Sequence, residues 1–293
     1  MSSNRRGFTL VELLVAVVLL AIVGSAVYQL LVRTQRFSRA ESERADLQSN
    51  IRAGTLVLAS ELHEVGYDDS TGAGAKSPDI FAAASDSIVF RAIRSSGIVC
   101  RLVTDTIVVD TTRNYSAYRL PVAGRDTLML YAEIDVTTST DNVWLRRRIA
   151  GVKASTCSAS FGSRPGIALA TKLKVTGATG DSVWLGAPMR TSEVVVYKFY
   201  STGGKNYLGT YSKTLVGGEA IQPILGPLAA NGSQFTYLDS TGGTTTTIAK
   251  IRGVRVTLFG TTDQTVNGVG GLGAPAQATD SLRTLVSLRN TLR

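Results

Sequence analysis

The sequence Gly7-Phe8-Thr9-Leu10-Val11-Glu12, followed by an apolar run over residues 13–32, decides the fold of this chain. Residues 8–32 contain one charged side chain, the carboxylate of Glu12. A helix needs roughly 20 apolar residues, at 1.5 Å rise each, to cross the hydrocarbon core of a bilayer. The stretch therefore predicts a membrane-spanning helix with one carboxylate inside it.

The Glu12 carboxylate needs a cationic partner, because an acidic side chain inside a bilayer is unfavourable by about 2 to 3.5 kcal/mol. If the chain is cut between Gly7 and Phe8, the new α-amino group lies one helical turn from Glu12 and can pair with it. An ordinary signal-anchor helix with an isolated Glu is the simpler alternative. A cleavable secretory signal fits poorly, because its apolar core is about 7 to 15 residues long and ends in a small-x-small site.

Residues 1–7, Met-Ser-Ser-Asn-Arg-Arg-Gly, followed by Phe-Thr-Leu-Val-Glu, resemble the N-terminus of type IV pilins and type II secretion pseudopilins. The resemblance implies that a prepilin peptidase removes residues 1–7 at the cytoplasmic face and that Phe8 is then N-methylated. It also implies that Glu12 pairs with the Phe8 amine of its own or an adjacent subunit and sets the axial register of a filament. The chain from Arg33 onward is then placed outside the cytoplasm.

The composition allows a sizeable folded domain after the apolar run. The chain has 293 residues, 44% of them apolar, and a net charge of +9. One large domain or two small lobes are both compatible with that length. Arginines flank the apolar run on both sides, so the charge asymmetry of the flanks does not set the orientation: Arg5 and Arg6 precede it, and Arg33, Arg36 and Arg39 follow it.

The absence of proline before Pro78 predicts one long helix from Phe8 to about Val65. Beyond Val32 it becomes polar, but apolar residues continue at helical spacing. We interpret this stripe as the face that packs on the protein's own sheet; a coiled-coil seam with a partner is the alternative. Gly66 is expected to end the helix. The stripe consists of Phe37, Ala40, Leu47, Ile51, Leu58, Leu62 and Val65.

The chain beyond Pro78 has the composition of β-strands separated by turn residues. With no helical pattern of comparable length between them, the strands predict an antiparallel sheet and an α+β fold. Residues 201–205 are expected to form a hairpin turn, and residues 239–247 and 261–279 to form exposed loops rich in Gly and Thr. The expected strands cover residues 88–93, 98–103, 106–109, 127–136, 143–149, 193–200, 207–213, 234–239, 253–259 and 284–288.

A second, weaker resemblance covers residues 190–290, which are similar in order to the last strands of PilW/GspJ-like minor pilins and pseudopilins. The segments that carry it include Val195-Val-Tyr197 and Ile251-Arg-Gly-Val-Arg-Val-Thr257. Gln29 stands where many major pilins have a proline, which favours a minor subunit. The expected organisation is a leader over residues 1–7, a membrane or filament-core helix over 8–32, an amphipathic helix over 33–66 and a β-rich pilin domain over 67–293.

Two cysteines, Cys100 and Cys157, lie in the region expected to be exported. In an oxidising compartment an even pair favours one disulfide, which would contribute about 4 kcal/mol in the chain-entropy model. Two buried free thiols are the alternative. The sequence has no Cys-x-x-Cys pair or Cys/His cluster, so we expect no thiolate metal site.

Other chemistry has weaker support in the sequence. His63 is the sole histidine, and no nucleotide-binding or metalloprotease motif is present, so we expect neither catalysis nor a cofactor. The acidic residues at 68–69 and 135–141 could offer oxygens to Ca²⁺ but lack EF-hand spacing, and solvated turns are the simpler interpretation. Arg146-Arg147-Arg148 could contact DNA phosphates or glycans, or could be solvated or internally paired.

The sequence as a whole predicts a structural subunit and no enzyme. We expect a minor pilin that assembles into or primes a type IV pilus, with the prepilin peptidase, other major and minor pilins and an inner-membrane assembly platform as partners. Before assembly it would span the inner membrane once, with its domain in the periplasm. A minor pseudopilin of a type II secretion system, or a DNA- or glycan-binding module displayed at a pilus tip, are the alternatives.

Overall fold

The structure, a computed structural model, describes residues 9–65, 79–132, 143–171, 183–215, 217–266 and 276–288. In these segments a single long helix precedes a large antiparallel sheet, which confirms the α+β prediction. The elements are α1 (Leu10–His63), β1 (Ile80–Ala84), β2 (Ser87–Val103), β3 (Thr106–Asp110), β4 (Ser116–Ala117), β5 (Thr127–Ala132), β6 (Val143–Arg148), β7 (Gly151–Thr156), β8 (Pro165–Ala170), β9 (Pro188–Thr202), β10 (Lys205–Ser212), β11 (Gln222–Leu228), β12 (Gln234–Leu238), β13 (Gly253–Val266) and β14 (Ala276–Ser287), with 3₁₀ turns at Ala159–Phe161 and Ile248–Lys250.

The described residues divide into two compact units. The first takes in the helix up to Ser49 together with the described part of residues 261–280, where β13 ends and β14 begins. In that unit the Ala278 amide donates to Thr262 Oγ1 at 3.0 Å. The prediction of a loop over residues 261–279 is therefore wrong at both ends. Its threonines are β-branched, and a β-branched side chain fits a strand as well as a loop.

The second unit contains the last turns of the helix and most of the sheet. The longest path through the sheet runs β12-β13-β11-β10-β9-β2-β3-β8-β7, and β9 pairs with β2, β5 and β10. Strand β2 replaces the two strands expected over residues 88–103. It continues through the Ser-Ser-Gly segment at residues 95–97, with a register shift against β9 between Ile93 and Ser95. The small residues lie at a local β-bulge in a continuous strand and do not form a turn.

The β9–β10 connection is the predicted hairpin turn. Thr202 pairs with Lys205, and the two residues between them, Gly203 and Gly204, have φ values of 57° and 76°. Positive φ at both central positions is the type I′ geometry that suits the twist of a hairpin and that glycine adopts without strain. Five strands were not predicted: β1, β4, β7, β8 and β11. Most of them contain Ala, Gly or Pro, which are uncommon in strands.

The C-terminal part of α1 packs on the sheet of its own unit. Ile51, Leu58, Leu62 and Val65 are all at most 3% exposed, which agrees with the packing interpretation of the apolar stripe. Its N-terminal member, Phe37, is 67% exposed and is therefore not covered by the sheet of this unit. The helix ends at His63; Gly66, which was expected to end it, lies outside the described residues.

The sheet separates two apolar clusters. Val99, Ile107, Val109, Leu128 and Leu130 belong to the larger one. Alternate residues of β2 and β3 point to the opposite face. There Cys100 and Val108 pack with Cys157. The structure joins Cys100 and Cys157 in a disulfide, which links β2 to the residue that follows β7.

Candidate functional site

The first half of α1 is an exposed apolar surface. Every residue from Leu10 to Leu31 is exposed, including Leu10 at 81% and Leu20 at 72%. Its surface far exceeds the few hundred Å² of contiguous apolar area that soluble monomers tolerate. Burying such side chains yields about 1.5 to 3 kcal/mol each. The helix is long and apolar enough to cross a membrane, and this segment needs a lipid or protein environment.

Thr9 and Glu12 lie together at the start of this helix. The Glu12 amide donates to Thr9 Oγ1 at 3.3 Å, and the Glu12 and Leu13 amides lie 3.1 and 3.2 Å from the Thr9 carbonyl oxygen. This bond is one of the two in a capping box, in which the side chain of an N-cap Ser or Thr accepts a hydrogen bond from the amide three residues later. The Thr-x-x-Glu spacing was visible in the sequence, but its capping role was not predicted.

The Glu12 side chain is exposed in the isolated chain. An acidic residue in the first turn also favours helix formation, because the amides there carry partial positive charge. The two residues of the predicted cleavage site, Gly7 and Phe8, lie outside the described residues. The pairing of Glu12 with the Phe8 amine therefore stays a prediction.

The other end of α1 is held to the sheet by a buried charge. Glu61 Oε1 accepts from Arg94 Nη1 of β2 at 2.7 Å, and Glu61 Oε2 accepts from the Tyr197 hydroxyl of β9 at 2.7 Å. The side chains of Arg94 and Glu61 are 6% and 10% exposed. Burial and the adjacent Glu61 carboxylate both raise the pKa of Tyr197, so its hydroxyl remains a donor at neutral pH.

Glu193 extends this contact into a network beneath the helix. Its carboxylate, 1% exposed, pairs with Arg94, with Arg125 Nε at 2.5 Å and with Arg119 Nη2 at 3.2 Å. Burial would raise the pKa of Glu193, but the three guanidinium groups, Arg94 foremost, lower it to about 2. Arg119 also makes a bidentate pair with Asp126, with both distances 2.6 Å.

The sequence analysis did not predict this network, although the sequence contains a signal for it. Glu61 interrupts the apolar stripe of α1, and Arg94 and Glu193 interrupt strands rich in β-branched residues. A charge at a position that its element buries needs a partner. The sequence does not say which partner, because the three residues lie far apart along the chain.

The remaining candidate residues have structural contacts. His63 Nδ1 lies 3.1 Å from the Ser287 carbonyl oxygen. Arg147 donates to the Arg146 carbonyl at 2.8 Å and Arg148 to the Gly124 carbonyl at 3.1 Å, so both guanidinium groups bind backbone oxygens. In the segments that the structure describes, no three His, Cys, Asp or Glu side chains group as metal ligands, and the acidic residues at 68–69 and 135–141 lie outside those segments.

Comparison with known protein families identifies a known motif in the N-terminal segment. Residues 2–28 match the family model described as the prokaryotic N-terminal methylation motif. The match covers the basic leader, Glu12 and most of the exposed apolar helix. Neither the comparison with curated proteins nor that with solved structures yields a match. The chain thus carries a prepilin-type N-terminal motif and fits the class of type IV pilins and pseudopilins.

Proposed function

We propose that the protein is a minor pilin, a structural subunit that assembles into or primes a type IV pilus through α1 and has no catalytic role. The exposed apolar half of α1 carries this proposal, since the methylation motif covers most of it. In the membrane this surface is covered by lipid. In a filament the same surface would be covered by the corresponding helices of neighbouring subunits.

The proposed mechanism begins with the prepilin peptidase, which cuts between Gly7 and Phe8 and leaves an amine at Phe8 that is then methylated. Before assembly the mature chain spans the inner membrane once, with the β-sheet domain in the periplasm. On transfer to the filament, Glu12 pairs with the Phe8 amine of its own or an adjacent subunit. A shifted subunit would leave a charge unpaired in apolar surroundings, so the pairing favours one axial register.

Intact-mass measurement of membrane-extracted protein tests the processing step. In cells with an active prepilin peptidase, the mass should equal that of residues 8–293 plus one methyl group. The same chain made without the peptidase is the matched control and should keep residues 1–7. Retention of those residues beside the active peptidase would contradict the proposal.

The amount of the protein in sheared filaments tests the minor role. A minor subunit should be present well below the major subunit, and its loss should lower the number of filaments without changing the remaining ones. If it is instead the predominant subunit of the filaments, it is a major pilin. If its loss stops protein secretion while filaments remain normal, the pseudopilin assignment replaces ours.

A further inference from the structure

The helix carries three arginines immediately after its apolar half, which we call the basic stripe: Arg33, Arg36 and Arg39. All three are exposed. A spacing of three residues places their side chains on neighbouring positions of the helix surface, within an arc of about 120°. The stripe therefore presents three guanidinium groups to one side of the helix, over a length of about 9 Å.

The basic stripe forms no ion pair among the described residues. Among the described residues, none of its guanidinium groups has an acceptor or an ion-pair partner. Arg44, one turn further along, pairs with Glu41 at 3.0 Å. Glu41 is also the first carboxylate after Glu12. In the part of the chain that the structure describes, no ion pair therefore neutralises these three positive charges, which lie where the apolar surface of α1 ends.

The position of the stripe along the helix matches the polar layer of a bilayer. From Leu10 to Val32 the helix rises about 33 Å, close to the roughly 30 Å of a hydrocarbon core. The headgroup layer on each side is about 5 to 7 Å deep. If the apolar half spans the membrane, as the proposed function requires, Arg33 and Arg36 lie in that layer and Arg39 lies at its outer boundary.

We propose that the basic stripe binds the phosphate groups of anionic phospholipids at the membrane surface where the helix leaves the bilayer. Guanidinium groups bind phosphate oxygens through paired hydrogen bonds. Near an anionic membrane surface, each arginine contributes a factor of about five in binding. The bound lipids fix the depth of the helix before assembly, and the stripe must exchange them for other anions when the subunit leaves the membrane.

Lipid selectivity of the full-length chain tests this proposal. The protein is reconstituted in phosphatidylcholine vesicles containing one-fifth phosphatidylglycerol and extracted in mild detergent, and the retained lipids are quantified by mass spectrometry. Phosphatidylglycerol should be enriched several-fold over the vesicle composition. The triple variant Arg33→Gln/Arg36→Gln/Arg39→Gln should lose this enrichment by about fivefold or more. Replacing all three with lysine should restore much of it.

A matched control removes three other exposed positive charges, with Arg52→Gln, Arg113→Gln and Lys153→Gln. It lowers the net charge equally and should retain the enrichment of the native chain. Equal enrichment in the stripe variant and the native chain would overturn the proposal.

Two further outcomes are decisive. If the stripe variant keeps its lipids but no longer crosslinks to other pilins, the stripe is a protein interface and the proposal is wrong. If the native chain inserts in the vesicles without preferring phosphatidylglycerol, the lipid proposal alone is wrong. Failure of the native chain to insert at all would instead contradict the proposed function.

Discussion

At the scale of single residues, the chain places charges where they are unfavourable unless they are paired. Glu12 lies in an apolar helix and is exposed, whereas Glu61 and Glu193 are buried under guanidinium groups. The proposed partner of the first carboxylate, the Phe8 amine, lies outside the described residues. The other two have their partners within the domain, so their removal should act on stability and not on assembly.

Replacing Glu12 with alanine should impair assembly without impairing insertion. The carboxylate opposes insertion by about 2 to 3.5 kcal/mol, so Glu12→Ala should reach the membrane at normal levels. It should be much reduced in sheared filaments, because the Phe8 amine then enters the filament without a partner. Asp46→Ala, which removes an exposed carboxylate outside the apolar half, is the control. Normal incorporation of Glu12→Ala would show that the pairing is not needed.

Replacing Glu193 with glutamine should destabilise the domain in a pH-dependent way. The folded-state pKa of Glu193 is lowered to about 2, so its stabilising effect is complete above about pH 4.5 and is lost as the pH falls toward 2. Glu193→Gln should lower the free energy of unfolding by about 3 kcal/mol at neutral pH and remove this part of the acid sensitivity.

Urea unfolding at several pH values measures the effect of Glu193→Gln. Asp86→Asn is the control, because Asp86 is exposed and lies 3.9 Å from Lys198 in a surface pair. Such pairs contribute about 0 to 1 kcal/mol. If the native chain and Glu193→Gln lose stability equally between pH 4.5 and 2, the pairing of Glu193 with the three guanidinium groups does not cause the acid sensitivity.

At the scale of elements, the sequence predicted which helix face packs but not how closely. Gly54 and Glu61 interrupt any heptad pattern, and both lie on the side of α1 that faces the sheet. A Cβ at Gly54 would lie 3.0 to 3.1 Å from the Leu225 side chain. The close approach explains the glycine, but it depends on β11, a strand that sequence patterns did not reveal.

Enlarging residue 54 should weaken the contact between helix and sheet. Gly54→Leu should lower the free energy of unfolding by about 1 to 3 kcal/mol, because the added side chain must displace Leu225. Ala53→Leu places the same side chain on an exposed position of α1 and should be nearly neutral. Thermal unfolding of the two variants compares them directly. Equal melting temperatures would contradict the close packing.

The disulfide was easier to predict, since the chain has two cysteines and one possible pair. Non-reducing peptide mapping should recover Cys100 linked to Cys157. Changing both to alanine should lower stability by about 4 kcal/mol, because the unfolded chain regains the freedom of a loop with a sequence separation of 57. Quantitative labelling of both thiols in native protein would contradict the pairing.

At the scale of the whole molecule, the N-terminal motif could be read directly because its chemistry is local. The β-sheet domain is different, since its strand order depends on pairings between distant segments such as β2 and β9. Composition indicated most strands and missed those rich in Pro, Gly and Ala. The prediction of a structural subunit therefore rests on the first residues of the chain, and that of the fold on the rest.

Removing the apolar half of α1 should make the chain water-soluble. A truncated chain that begins at Arg33 lacks the exposed apolar residues from Leu10 to Leu31 and should be a folded monomer without detergent. Sedimentation and far-ultraviolet circular dichroism should show a monomer with unchanged β-sheet content. Aggregation of this shorter chain would mean that another apolar surface needs cover.

The junction of Glu61 with Arg94 and Tyr197 also has a mechanical consequence. A pull along the axis of α1 loads the contact between its last turns and the sheet in shear. The contact can then fail only if the helix slides along the sheet. A slip of one turn, about 5.4 Å, would carry Glu61 away from both partners and drive the Leu225 side chain against a residue larger than Gly54. The last turns of the helix therefore have a single seated position on the sheet of their own unit, and a force along those turns would pass directly to that sheet.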